Sequence, residues 1–236
     1  KKRLSPMMMK NLMIAAVVAA ASLGGYMMVT GGSTTVLYSP LVGIANAETA
    51  APAAAEEAPL PPVVEMVIGQ DGAPVTVVEY ASFTCPHCGN FHRTVFDEFK
   101  KNYIDTGKVR FVYREVYFDK FGLWAAMVAR CGGAMKYFGI ADMIYDTQED
   151  WIGDAQESTI AANLRKMGLT AGISQGQLDS CLNDQAMAKA LVANFQTTAT
   201  EDDVESTPTF IINGQKHAGD MSYEEFAKLL DAAAEG

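Results

Sequence analysis

The chain has no charged residue between Lys10 and Glu48, and no internal repeat anywhere. It holds only four cysteines, three histidines and two tryptophans. Four cysteines are too few for a miniprotein framed by disulfides, but an informative number in a larger exported chain. One C-x-x-C without a second leaves a structural zinc site short of ligands. The residue after that motif is Gly89, not the histidine that c-type haem attachment needs. Neither metal nor cofactor is therefore expected. Basic residues are in deficit, 18 against 28 acidic, for a net charge of −10. Four of the basic residues fall within the first 47, so the remainder carries 14 basic and 28 acidic residues, or −14. An acidic body of this kind argues against a nucleic-acid-binding or anionic-membrane surface. With 49% hydrophobic and 19% charged residues, the composition is globular rather than disordered, collagen-like or coiled-coil. The 236 residues leave room for a large domain with an insert once a tail is set aside.

Residues 1–47 have the features of a targeting segment. Lys1, Lys2, Arg3 and Lys10 precede an apolar stretch from Leu12 to Val29, and Ala45-Asn46-Ala47 offers a small-x-small cleavage site. The stretch is long for a signal peptide and could also hold the chain in a bilayer as an uncleaved anchor. Either reading places the body outside the cytoplasm, in the periplasm, with the positive end inside. Residues 48–62 are rich in Ala, Pro and Glu and read as a linker.

The body begins with Val75 to Tyr80, a β-branched run bounded by Asp71-Gly72-Ala73-Pro74. Phe91, Val95, Phe99 and Tyr103 then mark an amphipathic helix opened by Pro86, and Lys108 to Val116 reads as a second strand. Together they form a βαβ unit. Helical spacing follows over 120–131, 134–147, 156–167, 174–183 and 185–203, with Gly132-Gly133, Gly153 and Gly168 as punctuation. Thr209 to Ile212, the Asn213-Gly214 turn and Gln215 to Ala218 form a hairpin. The last helix starts with a capping box, Ser222 and Glu225, and a Met221–Phe226 staple. The order predicts an α/β fold whose first part covers 63–117, with a helical insertion over 118–186 and a second part over 187–236.

Cys85-Pro86-His87-Cys88 falls where the first strand passes into the first helix. Disulfide exchange needs a thiolate, and unpaired N–H groups at a helix start favour an anion. His87 in the first turn can add a hydrogen bond or positive charge. Cys85 should therefore ionise below the ordinary thiol range, with Cys88, one turn inside, as the resolving thiol. A stabilised thiolate makes the reduced form favourable and the disulfide a strong oxidant. Pro208 reads equally well as a cis or a trans proline at a strand entry. Glu79, six residues before Cys85, is either a buried acid beneath the motif or a charge at a strand end. Cys131 and Cys181 could pair across about fifty residues as a structural disulfide or stay as two buried thiols. Phe83 suits either an apolar rim or the core. His92 reads as a packing or surface residue, and Glu201-Asp202-Asp203 as a solvated helix end.

The C-P-H-C motif, the strand before it and Ser206-Thr207-Pro208-Thr209 before a later strand resemble the DsbA-like thiol–disulfide oxidoreductases of the thioredoxin superfamily. The likeness covers about residues 63–236. It implies a thioredoxin fold with an inserted helical domain, Cys85 as nucleophile, and Pro208 as a cis-proline facing the cysteines. It implies that Thr207 backbone groups pair with an extended substrate peptide, and that Glu79 accepts the proton of the resolving cysteine. The Cys131/Cys181 pair resembles an alphaproteobacterial branch of the family. The resemblance further implies reduced or unfolded secreted proteins as substrates and a DsbB-like membrane oxidant as partner, and the lack of heptads in 48–62 points to the oxidase or a monomer. A disulfide isomerase or reductase of the same fold, or a redox-inactive peptide-binding holdase, are the competing readings.

Overall fold

A computed structural model of the chain describes residues 58–235. The targeting segment and the linker up to residue 57 lie outside the described residues. Strand β1 (Met66–Ile68) was not foreseen, because three residues are too short to show a period of two. Strand β2 (Val75–Ala81) follows the Asp71-Gly72 turn. Helix α1 (Pro86–Phe91) and the short α2 (Asp97–Phe99) alternate with π-helical turns at His92–Phe96 and Lys100–Ile104. The apolar spacing explains the π turns. Residues four apart advance about 40° beyond a full α-helical turn at each step, and a wider turn cancels that drift. Phe91, Val95, Phe99 and Tyr103 thereby stay on one buried face.

Strand β3 (Val109–Glu115) completes the βαβ unit and runs parallel to β2, from Val75 opposite Val109 to Ala81 opposite Glu115. Helices α3 (Lys120–Cys131), α4 (Ala134–Asp146), α5 (Gln148–Ile152), α6 (Glu157–Thr170) and α7 (Gln175–Leu182) form the helical block. The sequence reading missed α5 and ended α6 three residues early. Gly168 does not punctuate a helix. It lies inside α6, where a Cβ would sit 2.6 Å from the Leu178 side chain of α7. Close helix packing, not chain reversal, is its physical reason. Helix α8 (Gln185–Glu201) crosses the 186/187 boundary unbroken and returns the chain to the sheet. Strands β4 (Thr209–Ile212) and β5 (Gln215–Ala218) and helix α9 (Tyr223–Glu235) close the fold.

The sheet order is β1-β3-β2-β4-β5, with β4 antiparallel to β2. Phe91, Phe99, Phe210 and Phe226 interlock on one face, joining the active-site helix to α9. On the other face Phe195 and Ala199 of α8 pack with Tyr80, Val116 and Ile211. The capping box forms: the Ser222 N–H donates to Glu225 Oε2 at 3.0 Å, and the Glu225 N–H to Ser222 Oγ at 3.3 Å.

Two links fasten the helical block. The Arg130 guanidinium grips the Glu115 carboxylate with two bonds of 2.7 and 2.6 Å, and the Tyr137 hydroxyl donates to the same carboxylate at 2.8 Å. Cys131 and Cys181 are joined as a disulfide, tying α3 to α7 with Cα atoms 5.8 Å apart. Asp202 is not a merely solvated helix end. It accepts from the Tyr80 hydroxyl at 2.6 Å and from Arg114 at 2.9 Å, because α8 ends over the sheet face that Tyr80 occupies.

Candidate active site

Strand β2 ends at Ala81, and the Ser82-Phe83-Thr84 loop delivers Cys85 to the head of α1. Cys85 is the N-cap, with extended backbone (φ −81°, ψ 122°), and Pro86 opens the first turn. The loop is held from the insertion. Asp119 caps α3 by accepting from the Phe121 and Gly122 N–H groups, and it also accepts from the Thr84 hydroxyl at 2.8 Å. The buried Gln148 amide donates to the carbonyls of Phe83 and Cys85 at 2.8 and 2.9 Å. Gly89 leaves room for that amide, since a Cβ there would lie 2.4 Å from Gln148 Oε1. Phe83 belongs to the core and not to an apolar rim, being buried against the Tyr113 and Tyr145 rings.

The two motif cysteines are free thiols with opposite surroundings. Cys85 is half-buried and lowered to about 5, first by the hydrogen bond that the Cys88 thiol gives it. Burial opposes this, while Thr207 and the backbone N–H groups of Cys88 and His87 add to the lowering. The His87 imidazole itself is exposed, so the contribution of this residue comes through its backbone. Cys88 is fully buried, and its thiol is pushed far above the ordinary range by burial and then by the Cys85 anion and Glu79. One sulfur is thus favoured as an anion where it is half-buried, and the other as a neutral thiol in the interior.

Across from the motif the Thr207–Pro208 peptide bond is cis. In its protonated form Cys85 donates to the Thr207 carbonyl at 3.6 Å. The Thr207 hydroxyl is buried without a hydrogen-bond partner among the described residues. Cys131 and Cys181 stand apart from this site in the helical block.

Glu79 is fully buried on β2, opposite Tyr113 of β3. Its partner is His92, which is therefore neither surface nor mere packing. Nε2 of the buried imidazole lies 3.2 and 3.0 Å from the two Glu79 oxygens. The sequence signal available was spacing, four residues beyond Cys88. The π turn beginning at His92 carries the ring inward. Gln148 was also missed, because nothing in a distant helix marks it as a partner of the motif.

The family profile described as Thioredoxin matches residues 63–232. A Rickettsia conorii protein, provisionally named a protein-disulfide oxidoreductase, is 37% identical over 172 residues, covering 72% of this chain and 61% of its own. Disulfide bond formation protein D of Bacillus subtilis is 26% identical over 190 residues, covering 72% of this chain and 77% of its own. The solved structure of alpha-DsbA1 from Wolbachia pipientis matches with a TM-score of 0.67 at 27% identity, over 75% of this chain and 94% of that one. The chain belongs to the thioredoxin family, and within it is DsbA-like. It spans about three fifths of the length of the rickettsial relatives it matches.

Proposed function

We propose that the protein is a thiol–disulfide oxidoreductase that donates a Cys85–Cys88 disulfide to cysteine pairs of folding proteins. The asymmetry between the two sulfurs carries this reading: Cys85 is lowered to about 5 while Cys88 is buried and raised. A substrate thiolate attacks Cys85 Sγ, the Cys85–Cys88 bond breaks, and Cys88 leaves with the electron pair and takes a proton. A mixed disulfide remains at Cys85. The second substrate thiolate then attacks the substrate sulfur, and Cys85 departs as a stabilised anion. Two electrons pass from substrate to protein. Glu79 is the acid that gives the proton to Cys88 and accepts it on reoxidation. Thr207 and the cis-Pro208 present backbone to an extended substrate segment.

Reduced secreted proteins are the substrates in this reading. The chain acts after export, as a monomer, and a DsbB-like membrane partner renews the disulfide. A related isomerase or reductase is the second reading, favoured by Thr207, a residue type shared with isomerase-like relatives before the proline. The redox state of Cys85 and Cys88 trapped in the living cell separates the two. Largely oxidised cysteines support the donor, and largely reduced ones the isomerase. A Cys85→Ala variant that keeps its effect on substrate folding would instead reveal a holdase.

A further inference from the structure

The turn that carries Cys85 satisfies only part of its own backbone. The Cys85 N–H donates to the Ser82 carbonyl at 3.0 Å, and the Thr84 N–H to Ser82 Oγ at 3.3 Å. The Phe83 and Cys85 carbonyls, on either side of Thr84, are gathered by one nitrogen of the insertion, the Gln148 amide, at 2.8 and 2.9 Å. Both partners are acceptors, so the nitrogen of that amide, with its two hydrogens, must face them. The Cys85 carbonyl also takes the first bond of α1, from the Gly89 N–H at 3.1 Å. Its direction is therefore set from two sides.

Gln148 is itself firmly seated. It is buried and opens α5. The hydroxyl and the N–H of Thr147, just before it, both return to the Met143 carbonyl, at 2.7 and 3.2 Å. The buried Trp151 donates its backbone N–H to the Thr147 carbonyl at 3.0 Å and its indole N–H to the Ile144 carbonyl at 2.9 Å. Arg93, shortly after α1, donates to the Tyr145 carbonyl at 3.0 Å. The corner between α4 and α5 is thus closed on itself and tied to the segment that carries the motif.

We infer that the helical insertion sets the reactivity of Cys85 through Gln148, a positioning residue that fixes the two carbonyls flanking Thr84. The inference rests on the thiol–disulfide reading and gives the insertion a part in it. Cys85 is the N-cap of α1, and the backbone N–H groups that act on its sulfur are those of Cys88 and His87, the third and second residues of the helix. An N-cap side chain meets those groups only while its own backbone stays extended, here at ψ 122°. The same angle aims the Cys85 carbonyl, so a bond that holds the carbonyl also holds the sulfur. Without Gln148 the buried Phe83 carbonyl is left unpaired, which is costly, and the turn moves to find water. The Cys85 carbonyl then swings, and the sulfur turns away from the helix N–H groups. Gln148 acts through the Cys85 backbone and not on the sulfur. By keeping the thiolate of the reduced form in place, it makes the disulfide form the stronger oxidant.

The test uses the full chain with Gln148→Met, which fills a similar space without a donor. The Cys85 titration, read by thiolate absorbance, should rise by about one pH unit. The disulfide should become about tenfold less oxidising at equilibrium with glutathione at pH 7. Leu178→Ala, which opens a cavity where α7 packs on Gly168 of α6, is the control for lost packing in the same block. It should lower the melting temperature and leave both the titration and the equilibrium at their wild-type values. A Gln148→Met protein that matches the wild type in both overturns the inference while leaving the thiol–disulfide reading intact. A Leu178→Ala shift as large as that of Gln148→Met also overturns it, by reducing the effect to general loosening. A wild-type Cys85 that titrates near 9.0, the ordinary value, overturns both. Should Gln148→Met not fold, Gln148→Asn decides. Its amide falls one methylene short of the two carbonyls and should move the titration the same way; an unmoved titration overturns the inference.

Discussion

Removing the Cys88 thiol should raise the pKa of Cys85 without touching the helix start. The Cys88 hydrogen bond is the largest of the influences that hold Cys85 at about 5. A hydrogen bond to a charged group contributes roughly 1.5–3 kcal/mol, equivalent to about 1–2 pH units. Cys88→Ala should therefore titrate Cys85 between about 6 and 7, still below the ordinary value of 9.0 because the backbone donors remain. The same anion makes the stability of the reduced protein depend on pH. A thiol lowered in the folded state stabilises that state fully above its unfolded value near 9 and loses the gain as pH falls through about 5. Within that window each pH unit contributes at most about 1.4 kcal/mol, or about 2.7 kcal/mol at pH 7. Cys85 is half exposed, and solvent screening brings this to about 1–2 kcal/mol. The disulfide form has no such titration. Thiolate ultraviolet absorbance and parallel denaturant melts of the reduced and oxidised protein between pH 5 and pH 8 measure both effects. A Cys85 titration near 9, or the same pH slope for both redox forms, would refute the reasoning.

The fastening of the helical block can be tested separately. Arg130→Ala strands the nearly buried Glu115 carboxylate and should cost about 3–5 kcal/mol in a denaturant melt; a loss under 1 kcal/mol would show that Glu115 finds water instead. Replacing Cys131 and Cys181 together by serine should lower stability by about 2–4 kcal/mol while leaving the Cys85 titration unmoved; a shifted titration would contradict the separation of the two cysteine pairs. Gly89→Ala drives a Cβ into Gln148 and should cost about 1–3 kcal/mol, with a change in Cys85 ionisation as the loop shifts; wild-type melting and titration would contradict the role given to Gln148.

The strand–motif–helix arrangement was readable because its signals are local. A β-branched run, a C-P-H-C and an apolar period sit side by side in the chain. The hairpin at Asn213-Gly214 and the cap at Ser222 were readable for the same reason. Pro208 was different: its residues allowed either isomer, and only the resemblance to a family favoured cis. The partners that complete the site were hidden by long-range packing. Gln148 reaches the Cys85 carbonyl across 63 residues of sequence. His92 was discounted because a regular helical face does not show that the chain widens into a π turn at that residue. The pairing of Glu79 with an imidazole depends on that turn, on strand register and on the Tyr145 ring of a helix in the insertion.

The most direct test of the central claim is to trap the covalent intermediate. Reduced Cys88→Ala protein is mixed at pH 7 with an unfolded protein bearing an accessible disulfide, quenched with acid, and mapped by peptide mass. The account predicts that the substrate sulfur is bonded to Cys85 alone and that Cys85→Ala yields no adduct. An adduct at another cysteine, or none in Cys88→Ala, would contradict it.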